Sequence, residues 1–168
     1  MKKFTINEKE YSVYDSVQNL NLDRYQKLSA VANKEMDPFD KSMAMMKCII
    51  EEPITDKELE LSNIDEVDEI LTAINVDVDS DKPKKDFTHD GITYHLIGNP
   101  DNFMFNTGQI KYISQAMQKN QTSYVSRMAS LLYTDGSTNE NKREIIFNEY
   151  MTAEYILPFL KILIDKYA

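Results

Sequence analysis

The chain has 168 residues, 42% of them hydrophobic, with four glycines, five prolines and one cysteine; it is long enough to bury a core and is not fibrous, low-complexity or disulfide-built. Its net charge of −9 lies wholly in the first half, where residues 1–82 hold ten basic against nineteen acidic residues while residues 83–168 hold nine of each. An acidic face of this kind disfavours nucleic acid and anionic membrane, so neither is an expected partner.

The opening Lys2-Lys3 is not followed by an apolar run, so no secretory signal is expected, and with Cys48 as the sole cysteine the chain is expected to fold in a reducing cytosol. Phe4 to Tyr11 reads as a β-hairpin turning at Asn7-Glu8. Asn21 then serves as the N-cap of a helix whose Leu22, Tyr25, Leu28 and Ala32 share one face. Asp37-Pro38 is an N-cap followed by proline at the first helical position, and Phe39, Met43, Met46 and Ile50 line the next stripe. Pro53 ends that helix. Met45 and Ile49 fall off the stripe, so this helix is expected to be covered on two sides, one of them open to a partner. Methionine fills irregular gaps and also suits adaptable binding surfaces, which fits the Met36, Met43, Met45, Met46 run either way. Ser62 is placed as the cap of a third helix, with Asp65 and Glu66 in its first turn and Ile64, Val67, Ile70, Leu71 and Ile74 facing inward. Residues 77–86 are charged, contain Pro83 and carry no apolar stripe; they read as a linker between an acidic module at 1–76 and a second module at 87–168.

The second module opens on the strongest local signal in the chain. Asp90-Gly91 fits a two-residue type I′ turn, which sets Thr88 opposite Thr93 and Phe87 opposite Tyr94. The hairpin at Phe4 to Tyr11 repeats its Phe-Thr and Tyr at the same offsets, and each hairpin leads through a polar loop into an Asn-capped helix, at Asn21 and at Asn106. An internal duplication is the expectation that follows. Further helices carry Ile110, Ile113 and Met117, then Tyr124, Met128, Leu131 and Leu132. After an exposed loop at Asp135 to Asn139 comes a short helix, Lys142 to Met151, with Ile145, Ile146 and Phe147. Thr152 is read as the cap of the closing helix, which Pro158 either bends or truly begins. The expected fold is α+β and predominantly helical: two modules, each a β-hairpin followed by helices.

Little in the chain suggests chemistry. Asp77, Asp79 and Asp81 have the spacing of the first EF-hand ligands, but Lys82 and Thr88 stand where that loop needs Gly and Glu. His89 and His95 fall on different strands of the hairpin with no cysteine beside them, so a zinc site lacks ligands. No nucleophile elbow or phosphate-cradling glycine loop occurs. The expectation is a non-enzymatic protein with no catalytic residues, no metal and no cofactor. Its binding surface is placed instead on the closing helix, which is apolar nearly all round, at Leu157, Phe159, Leu160 and Ile164, together with Met45 and Ile49. The cover is either another subunit, making a homo-oligomer, or residues 1–82 of the same chain.

Phe87 to Tyr94, Asn106-Thr107-Gly108-Gln109-Ile110, Met128 to Tyr133 and the closing Arg143, Phe147, Met151 and Leu157-Pro158-Phe159-Leu160 together resemble small accessory proteins of tailed bacteriophages, the crAss-like group among them. The resemblance covers residues 87–168. It implies a virion component or head or tail assembly protein that contacts other virion proteins, resides in the host cytoplasm during assembly and then in the virion. A tail assembly chaperone absent from the mature particle, and an intracellular adaptor unrelated to phages, are the alternatives.

Overall fold

The computed structural model describes residues 1–76, 82–118 and 124–167. Among them, eight α-helices and two small antiparallel sheets give an α+β, mostly helical protein. The chain divides into two compact units, Met1–Leu20 with Arg24–Asp77, and Asn21–Asp23 with Val78–Ala168.

The first unit starts with β1 (Lys2–Ile6) and β2 (Lys9–Val13), paired antiparallel with Phe4 opposite Tyr11. Asn7 and Glu8 both take positive φ, 50° and 65°, as a type I′ turn requires. The right-twisted ribbon turns Ile6, Tyr11 and Val13 inward. There they meet α2 (Pro38–Ile49), α3 (Asp56–Glu60) and α4 (Ile64–Ala73) through Met46, Cys48, Ile49, Ile50, Leu59, Val67 and Ile70. A two-stranded ribbon is marginal in water, and the outer edge of β2 is covered by the segment after α2. Tyr14 donates its amide to the Ile49 carbonyl at 3.0 Å, and Glu51 donates to the Ser12 carbonyl at 2.8 Å. The Glu52 carboxylate then accepts the Ser12 amide and hydroxyl, both at 2.7 Å.

Two local features depart from expectation. The short helix α3 was not anticipated, since five residues cannot show an apolar stripe. Its signal is the capping box, in which the Thr55 hydroxyl accepts the Glu58 amide and Glu58 accepts the Thr55 amide. The cap of α4 is Asn63 rather than Ser62, whose hydroxyl donates back to the Leu59 carbonyl.

Glu58 ties α3 to the ribbon. Its carboxylate accepts from the amide and hydroxyl of Thr55, each at 2.8 Å, from Lys9 at 3.2 Å and from the Tyr11 hydroxyl at 3.1 Å. Those donors lower its pKa from 4.5 to about 2, the Thr55 amide foremost. Because the folded value lies below the unfolded one, the stabilisation is complete above about pH 4.5 and disappears as pH falls toward about 2. Acid unfolding followed by circular dichroism should therefore lose part of its slope across that window in Glu58→Gln. An unchanged slope would show that the carboxylate does not couple to folding.

The second unit is built around β3 (Asp86–His89) and β4 (Ile92–Leu96), with Phe87 opposite Tyr94 and Thr88 opposite Thr93. Asp90 and Gly91 have φ of 49° and 73°, and the Thr88 and Thr93 hydroxyls lie 3.0 Å apart. A third strand not foreseen, β5 (Tyr133–Thr134), pairs with the free edge of β4. It follows α6 (Tyr124–Leu132) directly, with Ile97 donating to the Leu132 carbonyl at 2.7 Å. The helix α5 (Thr107–Gln118) begins after Asn106, whose side chain accepts the Gln109 amide while Gln109 reaches back to the Asn106 amide, both at 2.9 Å. Next come α7 (Glu140–Tyr150), capped by Asn139, and α8 (Leu157–Tyr167). Thr152 opens only a 3-10 turn, Ala153–Tyr155, and makes no side-chain cap, so Pro158 marks the start of the closing helix.

The core of this unit is aromatic. Phe147 meets Phe87 at 5.4 Å and Tyr94 at 4.9 Å, both edge-on, and Phe103, Phe105 and Phe159 form a second group joined to it through Tyr133. The buried Tyr133 hydroxyl donates to the Lys84 carbonyl at 2.6 Å. Asn21 stands immediately ahead of α1 (Leu22–Ala32), at the position expected of its cap, and donates its side-chain amide to the Glu149 carbonyl at 3.0 Å. The two ribbons share turn geometry and register; nothing beyond the ribbons establishes a duplication. Residues 77–81, including the acidic triplet Asp77, Asp79 and Asp81, lie outside the described residues. At the end of the charged segment, Lys82 pairs with Asp101 at 2.9 Å, Lys84 pairs with Glu154 at 2.6 Å, and Asp86 already belongs to β3.

Candidate interaction surface

Helices α2 and α4 of the first unit each begin with a side-chain cap and carry a large apolar residue, Phe39 or Ile64, within the next two positions. Asp37 accepts the Phe39 amide at 2.9 Å, and Asn63 accepts the Asp65 amide at 3.1 Å while Glu66 closes its capping box. The caps fix both helix starts, and a cleft of about 420 Å³ lies between them. Pro38, Phe39, Ile64 and Val67 give its apolar lining; Asp37, Ser42 and Asp68 give its polar edge. Val67 is buried at the floor, whereas Phe39 is 44% and Ile64 61% exposed at the lips. Both lip residues were expected to face the core from their spacing. They sit in the first turn of their helices, where side chains project beyond the neighbouring element that would cover them.

Carboxylates dominate the charge around the cleft; Lys41 of α2, beside the lining Ser42, donates its ammonium to the Ala32 and Lys34 carbonyls. Asp40 on α2 and Asp65, Asp68 and Glu69 on α4 are exposed, and α4 has no basic residue in its ten positions. Among the described residues, none of these four carboxylates forms an ion pair.

A second cleft, about 570 Å³, lies in the second unit along α7 beside Asn21, Asp23 and Ser126. Its lining residues are polar or charged apart from Ile145, and its walls are engaged. Glu144 accepts from Arg127 at 2.6 Å, and the same guanidinium bonds Asn141 at 2.9 Å, pairs with Glu140 at 3.1 Å and stands over the Tyr112 ring. Arg127 therefore joins α6 to α7, and Ile145, 67% exposed, is the only large apolar side chain among the lining residues.

The residues placed on a partner surface from sequence fall into three groups. Phe159 is fully buried, packed edge-on against Phe103 at 4.8 Å within its own unit, and Ile49 belongs to the core of the first unit. Leu157 is 8% exposed, so it too lies inside. Leu160 and Met45 are half-buried, and Ile164 alone stands out, at 67% exposure. Only the start of α8, Leu157 to Phe159, is buried, with Phe159 against Phe103, Phe105 and Tyr133, whereas Leu160, Ile162 and Leu163 are half-buried; a single-helix pattern cannot show where such cover ends.

The polar residues weighed for chemistry have structural occupations. His95 Nδ1 lies 2.7 Å from Asp86 across the ribbon, and the His89 ring stacks on Tyr150 with centroids 4.0 Å apart. Cys48 is buried and its thiol donates to the Ala44 carbonyl at 3.3 Å. Among the described residues, no three His, Cys, Asp or Glu side chains come together as metal ligands, and no helix is long and apolar enough to cross a membrane. No protein family, no curated protein and no solved structure matches the chain.

Proposed function

We propose that the chain is a non-enzymatic component of a tailed-phage virion, or of its head or tail assembly, and that it acts through contacts with other virion or assembly proteins. The observation that carries the protein-contact reading is the α2–α4 cleft, with Phe39 and Ile64 exposed at its lips. Grouped apolar side chains on an otherwise charged surface mark a place where another molecule removes area from water. The phage setting rests on the resemblance of residues 87–168 and places the chain in the host cytoplasm during assembly and afterwards in the particle.

Mass spectrometry of purified particles and of assembly intermediates from infected cells tests this reading. Recovery in fixed ratio to the major virion proteins supports a virion component. Recovery with intermediates but not with particles makes it a chaperone that leaves. Absence from both overturns the phage reading and favours an intracellular adaptor.

A further inference from the structure

We propose that the α2–α4 cleft binds a basic amphipathic helix of a partner protein, its apolar face seated between Phe39 and Ile64 and its lysines or arginines meeting the carboxylates of α4. The inference rests on the reading that the chain works through protein contacts, but not on which particle or assembly step it serves.

Helix chemistry explains part of the acidity at this place. Asp37, Asp40, Asp65 and Glu66 lie at or within the first turns of α2 and α4, where a carboxylate faces the positive end of the helix dipole. Asp68 and Glu69 lie beyond that turn, gain nothing from it, and form no ion pair among the described residues. Asp68 lines the cleft itself. An apolar trough edged by uncompensated carboxylates disfavours nucleic acid and anionic lipid, which carry the same sign. It also leaves the surrounding charge unanswered if only a neutral apolar molecule enters. A helix with aliphatic side chains on one face and cations flanking them satisfies both features at once, as amphipathic helices do in apolar grooves. The apolar contacts supply the holding energy, and the flanking charges supply rate and selectivity.

The test titrates the full chain with a fluorescein-labelled peptide of about four helical turns, composed of leucine and lysine with the leucines on one helical face. Two controls accompany it: the same composition scrambled so that no face forms, and the same pattern with glutamate for lysine. The ordered basic peptide should bind about tenfold more tightly than the scrambled one, as expected when an apolar anchor fills a site. The acidic peptide should not bind. Amide shifts should map to α2 and α4. Phe39→Ser with Ile64→Ser, both exposed in the native chain, should weaken binding of the ordered peptide by about tenfold while leaving the amide spectrum of the core in place. Asp68→Asn with Glu69→Gln should weaken it less and flatten its dependence on salt.

Equal affinity for ordered and scrambled peptides overturns the proposal, since it would reduce binding to attraction toward an acidic surface. So does affinity that survives the Phe39 and Ile64 changes, or shifts that map to the second unit. Preference for the acidic peptide would mean that the cleft takes a different partner. These outcomes are independent of the particle analysis: a chain found in virions can fail this titration, and a chain absent from them can pass it.

Discussion

Phe147→Ala should lower the stability of the second unit by about 3–5 kcal/mol, the range for removing a fully buried phenylalanine. Phe147 is 0% exposed and contacts both strands of the ribbon through Phe87 and Tyr94, as well as Tyr133 of β5. Alanine would leave a void walled by three rings whose positions are fixed by strand pairing and by the Tyr133 to Lys84 hydrogen bond, so collapse into it is restricted. Ile145→Ala, two residues away on the same helix and 67% exposed, is the control and should change stability by less than about 0.5 kcal/mol. Amide hydrogen exchange read by mass spectrometry reports the two units separately. Similar losses of protection in both variants would mean that α7 does not pack as described.

Arg24→Met should cost about 2–3 kcal/mol in the first unit, on the scale of hydrogen bonds to a charged group. The guanidinium donates to the carbonyls of Cys48 at 3.1 Å and Glu51 at 2.8 Å, and to that of Ile50 between them. These are carbonyls at or just past the end of α2, which no longer have partners inside the helix and lie at its negative pole. Methionine keeps the aliphatic stem but removes every donor. Lysine restores the charge without the planar fork, so Arg24→Lys should recover only part of the loss. Denaturant unfolding of the three proteins decides the matter; equal stability of wild type and Arg24→Met would mean that water replaces the guanidinium without penalty.

Arg24 also illustrates what a sequence conceals. Its position in α1 was legible from the stripe Leu22, Tyr25, Leu28, but nothing local announces that its side chain reaches a helix terminus more than twenty residues away. The hairpins were legible because a two-residue turn restricts φ at named positions and thereby sets the whole register. The fold class followed from those turns and from helical periodicity. Face assignments failed at Phe39 and Ile64 for one reason. Periodicity shows which residues share a face, but not whether a neighbouring element extends far enough to cover each turn of it. The α2–α4 cleft was missed by the same route, because its lip residues were counted as core, while Phe159 and Ile49 were taken for surface when they are packed within their own units. The capping box of α3 and the asparagine cap of α4 were present in the sequence as signals, but β5 was not. A two-residue strand has no period, and it exists because the end of α6 delivers Tyr133 beside the open edge of β4.

The single cysteine makes α2 its own clock. Cys48 is 7% exposed and is the chain's only thiol, so an alkylating reagent can modify the protein at one place, and only when the last turn of α2 lifts from the ribbon. When closing is much faster than alkylation, the labelling rate divided by that of a free thiol gives the population of that open form without any substitution. Run beside the peptide titration, the same measurement says whether an occupant of the neighbouring cleft slows the helix that forms one of its walls.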